Sequence, residues 1–264
     1  MTDEASQRRR EGLMRHLKEI EAELSSLAGE IDVQKESAPV AMDASSAPVA
    51  EPAARPIVDV IVGTSEHAHL VKAIVDMVNR SYDYSRLSEG EVLGRLRMGD
   101  AGIRANRVLH LAMLDGKPVG CMSSTFQPPW TEEGCGHWGL LVVAVEMQGK
   151  GVASQLVAAA ERRLAGVCHE IQIEYEYTPG DEYSDRLKSW YEGSCGFRCV
   201  SGNRRCAGAQ FRKCRKETPA ELLKVGRYDR LKEIRDLLTS QLNKDSDDTE
   251  LNEDSESSES SMDE

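Results

Sequence analysis

The 264-residue sequence lacks four things, and each absence removes a class of function. It has no apolar run near the roughly 18–20 residues that a membrane-spanning helix requires, so no membrane partner is expected. Its first residues, MTDEASQRRREG, contain no apolar stretch of the kind a secretory signal carries, which points to an intracellular protein of the cytoplasm or nucleus. It has no CxxC. The seven cysteines, at 121, 135, 168, 195, 199, 206 and 214, are odd in number and scattered, which fits reduced thiols and neither a disulfide framework nor a metal site. It also has no basic excess. The net charge is −12, yet residues 245–264 alone hold ten acids and no Lys or Arg, while 1–244 carry 35 acidic and 33 basic groups. The body is near neutral, which argues against a nucleic-acid-binding domain.

What is present divides into five parts. Residues 1–35 form an N-terminal amphipathic helix, in which Leu13, Leu17, Ile20, Leu24, Leu27 and Ile31 are spaced 4-3-4-3-4. That is the rhythm of a coiled-coil seam, about two and a half heptads long. The stretch 6–35 suits self-association or partner binding, or packing on its own chain. Residues 36–56 are rich in Ala, Pro and Ser and read as a linker. Residues 57–216 form the folded domain, 217–244 carry a C-terminal helix (its core near 227–243), and 245–264 are an acidic tail expected to be disordered. Ser260 and Ser261 in that tail each have an acid three residues on, as an acid-directed kinase would require; a purely solubilising tail fits equally.

The folded domain alternates strands and helices. Residues 57–63 are β-branched and end at glycine. A helix capped by Thr64 or Ser65 runs to about Arg80, and Ser88 with Glu91 forms a capping box for a second helix over about 89–98. Residues 108–114 and 118–126 form a hairpin turned at Asp115-Gly116. Residues 137–145 are the most apolar run and suit a central strand buried on both faces. A helix over about 150–165 follows. In 170–178, Ile171, Ile173, Tyr175 and Tyr177 face one way and Gln172, Glu174 and Glu176 the other. A helix over about 181–194 and strands at 197–201 and 210–215 complete an α/β domain with a mixed sheet, of the α+β kind.

The chemistry concentrates where strand 137–145 runs into Gln148, Gly149, Lys150, Gly151, Val152, Ala153 and Ser154. Unpaired amides at a helix start, with the helix dipole behind them, favour an anion, and glycines let a phosphate approach the backbone. GxxxxGK[ST] is absent, so this is no Walker loop, and GxGxxG is absent, so it is no Rossmann turn. Val143-Ala144-Val145-Glu146-Met147-Gln148-Gly149-Lys150-Gly151-Val152-Ala153 resembles the V-x-P-x-x-[QR]-x-x-G-x-[GA] pattern of the GNAT acyltransferase superfamily, with Val145 in place of the proline. The resemblance implies the acyl-CoA N-acyltransferase fold over 57–216 and an acyltransferase that moves groups other than aminoacyl groups. It implies acetyl-CoA as co-substrate, with Gln148 through Ser154 holding the pyrophosphate and the backbone of Val143 and Val145 pairing with the pantetheine arm.

The same family often shows Asn-x-x-Ala leading to Tyr-x-x-x-Gly-Phe. Here the stretch runs from Ser184 through Leu187 to Trp190-Tyr191, then Gly196-Phe197, with Tyr191 five residues before Gly196. The resemblance makes Tyr191 the general acid that protonates the departing CoA thiolate. It implies direct attack by an amine, on a small molecule or a protein or peptide, in a ternary complex with no metal. A backbone N–H near Val143 would bind the developing oxyanion. Glu174, Glu176, His137 and Glu146 are candidate bases, and Cys135, Cys195 or Cys199 with His137 is a remote thiol alternative. The run Arg204, Arg205, Arg212, Lys213, Arg215 and Lys216 could draw CoA phosphates, the acidic tail or RNA. A different class also fits these residues: a CoA-binding sensor or adaptor that recruits partners through the coiled coil and the tail.

Overall fold

A computed structural model describes residues 2–37, 56–82, 86–204 and 209–256. The expected linker therefore lies almost wholly outside the described residues, as do the tail serines Ser260 and Ser261. The chain forms two units: residues 1–40 with 227–264, and residues 41–226.

In the first unit, α1 (Thr2–Ser37) is paired with the body of α6 (Ala220–Glu256). The six seam positions are covered: Leu24 is buried, and Leu13, Leu17, Ile20, Leu27 and Ile31 are partly buried, while Lys18, Glu19 and Glu21 between them are exposed. Leu242 of α6 is buried in turn, and Arg227 forms an ion pair with Glu23. The Arg227–Glu23 pair joins the two helices beside this seam. Helix α6 starts after Pro219 and continues through Glu256, twelve residues past the boundary at 244 and into the segment expected to be disordered. No helix among the described residues is long and apolar enough to cross a membrane.

The second unit is a seven-stranded sheet in the order β1-β2-β3-β4-β5-β7-β6. Its strands are β1 (Asp59–Val62), β2 (Arg107–Leu114), β3 (Lys117–Thr125), β4 (Cys135–Val143), β5 (Glu170–Tyr177), β6 (Arg198–Arg204) and β7 (Gln210–Glu217). Neighbours are antiparallel except β4 and β5. Local chemistry sets the corners. Asp115 and Gly116 both take positive φ, 50° and 72°, and close the β2–β3 hairpin with the twist its strands need. Ser88 and Glu91 make a reciprocal capping box at the start of α3 (Glu89–Gly99). A 3-10 turn over Ser65–Leu70 precedes α2 (Val71–Tyr82), whose Ile74 and Val78 are wholly buried. Leu96 of α3 covers the face bearing Leu111, and α4 (Val152–Ala165) covers the opposite face, where Leu156 and Leu164 meet Gly120 and Gly136.

Three expectations need correcting. The central strand ends at Val143, not Val145, because Val145–Met147 form a 3-10 turn and Val145 is 54% exposed. Gln172, placed by alternation on a polar face, is fully buried: its Oε1 accepts the Glu132 N–H and its Nε2 donates to Glu174. The basic run on β7 is not an open anion surface. Arg212 pairs with Glu192, Lys213 with Glu132, Arg215 with Glu170 and Lys216 with Glu161, so both strand faces are neutralised internally.

Lys216 and Glu161 are about seven-eighths buried, and the Lys216 ammonium also donates to the Cys195 carbonyl, tying β7 to α4 and to the turn before β6. Removing one member strands a charge. Lys216→Met is expected to cost about 3–5 kcal/mol in urea unfolding, and adding Glu161→Leu to recover most of it; a single variant of wild-type stability contradicts this. His110 carries a second expectation. Burial, and then the nearby Arg163 charge, lower its pKa to about 4. The unfolded ring titrates near 6.5, so between about pH 6.5 and 4 only the unfolded chain binds this proton, and stability falls with falling pH by about 1.4 kcal/mol per unit. His110→Gln removes that share of the slope in denaturation measured from pH 7.5 to 4.5; an undiminished slope places the titration elsewhere.

Candidate functional site

Strands β4 and β5 pair over only three residues, Cys135–His137 with Glu170–Gln172. Beyond them β4 stays with β3 and β5 with β7, so a gap opens between the two. A bulge sharpens the divergence. Leu140 and Leu141 together stand opposite Met122, and Leu140 takes φ +51°. After the bulge, Ala144 N–H donates to Val119 O at 2.9 Å. Antiparallel alternation then turns the N–H and C=O of Val143 away from β3 and toward the gap. The carbonyl is taken there by Ser81 Oγ and Gln148 Nε2, each at 3.3 Å. The Val143 N–H remains directed into the gap.

Below the gap lies the glycine loop. Gly149 and Gly151 adopt φ 74° and 83°, a region costly for any residue with a Cβ. Gly151 is the N-cap of α4 and has no side chain to cap it. The first helical bond is Gln155 N–H to Gly151 O, which leaves the amides of Val152, Ala153 and Ser154 without helical acceptors. They border a cavity of about 490 Å³, lined by Val143, Gln148, Gly149, Gly151 and Met147 on one side. Tyr183, Arg186, Leu187 and Trp190 form its other wall. The volume is in the range of small-molecule sites. Of the residues expected at a cofactor, Val145 and Lys150 are not part of this lining: Val145 borders a separate hollow with Glu146, Asp76 and Arg80, and Lys150 leans on Met147.

The second wall comes from α5 (Glu182–Lys188), capped by Asp181, and the π-helical turn Ser189–Ser194 that continues it. A π-turn holds one residue more than an α-turn. Cys195 N–H reaches back five residues to Trp190 O, and Phe197 N–H bonds Tyr191 O at 3.1 Å. The five-residue spacing from Tyr191 to Gly196 is thereby absorbed in the turn. Glu192 anchors it, accepting from Tyr175 Oη at 2.5 Å and pairing with Arg212 at 2.7 Å. The Tyr191 ring packs against Tyr175, Trp190 and Trp138 at 5.0–5.7 Å between centroids. Its hydroxyl has no hydrogen-bond partner among the described residues. Burial chiefly, then Tyr82 of α2 and Tyr183 of α5, raise it above the ordinary tyrosine range, so it stays protonated.

The candidate bases are spread out. Glu174 lies two residues past the last β4–β5 pair and is held by Gln172. Glu176 is exposed further along β5. Glu146 lines the other hollow. His137, mostly buried, is kept neutral with a pKa of about 4 by burial and the nearby Arg107. The thiol alternative finds no geometry: Cys135 Sγ donates to Glu170, and burial pushes Cys121 to about 12, Cys195 to about 11 and Cys214 to about 12. Among the described residues no three His, Cys, Asp or Glu side chains come together as metal ligands. Sequence reading missed Ser81, Tyr183, Arg186 and Leu187. Tyr183 and Leu187 are spaced one helical turn apart, a pattern that marks one helix face once the helix is known.

Residues 71–197 match the family model for the acetyltransferase (GNAT) family. No curated protein matches the sequence. Among solved structures, a GNAT-family protein from Desulfovibrio desulfuricans aligns with a TM-score of 0.50 and 17% identity, over 62% of this chain and all of that one. An acetyltransferase of the GNAT family from Streptococcus pneumoniae aligns at 0.49 and 17%, again over 62% and 100%. An aminoglycoside 6'-N-acetyltransferase complexed with coenzyme A aligns at 0.47 and 14%, over 61% and 97%. The seven-stranded mixed sheet, parted between its two parallel strands, is thus the GNAT acyltransferase fold, and residues 71–197 are a GNAT acetyltransferase domain.

Proposed function

We propose that the protein is an N-acetyltransferase that moves the acetyl group of acetyl-CoA to an amine by direct attack in a ternary complex. The observation that carries this reading is the pair of left-handed glycines, which presents the unbonded amides of α4 to a cavity reaching the gap. The loop from Gln148 to Ser154 holds the pyrophosphate, with the helix dipole behind it. The pantetheine arm extends along the backbone of Val143, which lines the cavity. The Val143 N–H donates to the thioester carbonyl oxygen as it gains charge. Tyr191 protonates the departing thiolate, its raised pKa keeping the hydroxyl in the proton-bearing form. Glu174, fixed by Gln172, takes the proton of the attacking amine, directly or through water. The acceptor is an amine on a small molecule or a peptide, and the reaction requires no metal.

Calorimetric titration of the full chain with acetyl-CoA tests the cofactor site. Wild type is expected to bind at micromolar concentration, and Gly151→Glu, which sets a charge and a side chain in the cradle, to lose about a hundredfold or more. Well-folded wild type that does not bind sinks the transferase reading. With an acceptor in hand, Tyr191→Phe is expected to lower kcat about tenfold to a hundredfold at unchanged KM for acetyl-CoA, read as thiol release. Because the hydroxyl stays protonated, wild-type kcat is not expected to fall on its account below about pH 10. Equal kcat in the variant removes Tyr191 from the mechanism, and binding without turnover of any amine leaves a CoA-binding adaptor.

A further inference from the structure

The face of the sheet away from α4 holds a second cluster that the cofactor cavity does not use. Arg107, Thr125 and His137 are register partners on β2, β3 and β4, and so lie side by side in one row. Arg95 of α3 approaches the same place, close enough for its charge to act on Arg107 and Cys121. Four polar atoms here are buried without a hydrogen-bond partner: Arg95 Nη1, Arg107 Nε, Thr125 Oγ1 and His137 Nδ1. Thr125 is only 4% exposed. Neither arginine makes an ion pair among the described residues. The acid nearest Arg95 along α3, Glu91, is exposed and accepts from the Ser88 N–H and hydroxyl, and the Arg95 charge acts on it across one helical turn. Trp130 borders the cluster, 5.9 Å from the Arg107 guanidinium and 5.8 Å edge-on to His137.

We infer that Arg95, Arg107, Thr125 and His137 form an oxyanion-binding subsite on the acceptor side of the sheet, so that the acceptor is an amine that also carries a carboxylate or phosphate. The inference rests on the transferase reading for the word acceptor, and on the cluster itself for the anion. Two like charges side by side, with Arg107 partly buried and its Nε unbonded, weaken a fold, and a buried hydroxyl without a partner adds to the cost. An oxyanion is the complementary acceptor for each of these groups: guanidinium N–H, hydroxyl and, in the right tautomer, imidazole N–H. Burial first, and then the neighbouring arginine, lowers the pKa of both Arg107 and His137. The cluster also points toward the reaction. The His137 ring lies along the strand over Gly139, where a Cβ would come within 3.0 Å of Cε1. Gly139 is about 7 Å along β4 from His137, and the bulge that turns the backbone into the gap begins at the next residue. The anionic group and the reacting amine are therefore several bonds apart.

The deciding measurement is the thermal midpoint of the full chain without CoA, titrated with 6-aminohexanoate, hexylamine and inorganic phosphate. Wild type is expected to rise by about 3–6 °C at ten times the dissociation constant of a bound anion, and not to respond to hexylamine. A response to 6-aminohexanoate alone marks a carboxylate site, and a response to phosphate alone marks a phosphomonoester site. Arg107→Met and Thr125→Val are expected to raise the midpoint of the free protein, since each removes an unsatisfied buried group, and to abolish the anion response. A structural role for Arg107 gives the opposite sign, a lower midpoint. No anion response in wild type, or an equal response in both variants, overturns the subsite. Acetyl-CoA calorimetry on Arg107→Met separates the two readings: unchanged affinity keeps the cofactor site, whereas failure of wild type to bind acetyl-CoA removes the transferase reading and leaves the anion result standing.

Discussion

Everything at this site follows from the parting of two parallel strands after three paired residues. Parallel strands that stop pairing expose backbone groups inside a folded domain, and each unsatisfied group is costly. The chain answers on both sides of the gap. On β4 the bulge at Leu140–Leu141 turns the backbone, and the Val143 carbonyl is taken by Ser81 and Gln148. On β5 the side chains do the work, with Gln172 bonding both the loop at Glu132 and the carboxylate of Glu174. One donor, the Val143 N–H, is left facing the opening. With the Val143 carbonyl taken and its N–H free toward the opening, the gap suits a ligand that brings an acceptor.

The turn after α5 shows how tertiary demands shape local structure. Tyr191 has to pack against Tyr175 and Trp138 while Phe197 seats under Trp138, with centroids 5.3 Å apart. Five residues, rather than four, separate Tyr191 from Gly196. An α-turn would rotate the ring by about 100° for the extra residue. The π-turn takes up that residue, and the Tyr175–Glu192–Arg212 network holds it closed. The hydroxyl is then left in an apolar, aromatic setting that keeps its proton, which is the state a general acid needs.

Much of this was legible in the residues. The 2.0 and 3.6 periodicities place every strand and most helices, because the sheet is covered on both faces and the burial pattern follows local geometry. The Ser88–Glu91 box, the Asp115-Gly116 turn and the glycine loop carry their mechanisms in their own side chains. Tertiary partners were not legible. Alternation marks Gln172 as polar and outward, but not the loop that buries it. A run of basic residues on β7 looks like an anion surface until Glu132, Glu161, Glu170 and Glu192, brought from four other segments, neutralise it. The a/d spacing of α1 marks a seam but does not name its partner; Leu242 and Arg227 lie more than 190 residues away in sequence. The wall formed by Tyr183, Arg186 and Leu187 stayed hidden for the same reason: a helix face has meaning only when the opposite wall is known.

The pairing on β7 sharpens the meaning of the cations that remain. The domain spends four acids on four adjacent bases, even where pairing Lys216 with Glu161 means burying both. Arg95 and Arg107, both only partly buried, form no such ion pair among the described residues. Unsatisfied groups persist in folded proteins chiefly where function holds them against the cost. The amides at the start of α4 and the row through Thr125 are two of the places where this domain leaves polar groups without partners. One presents backbone dipoles and the other guanidinium groups, and each lacks negative charge.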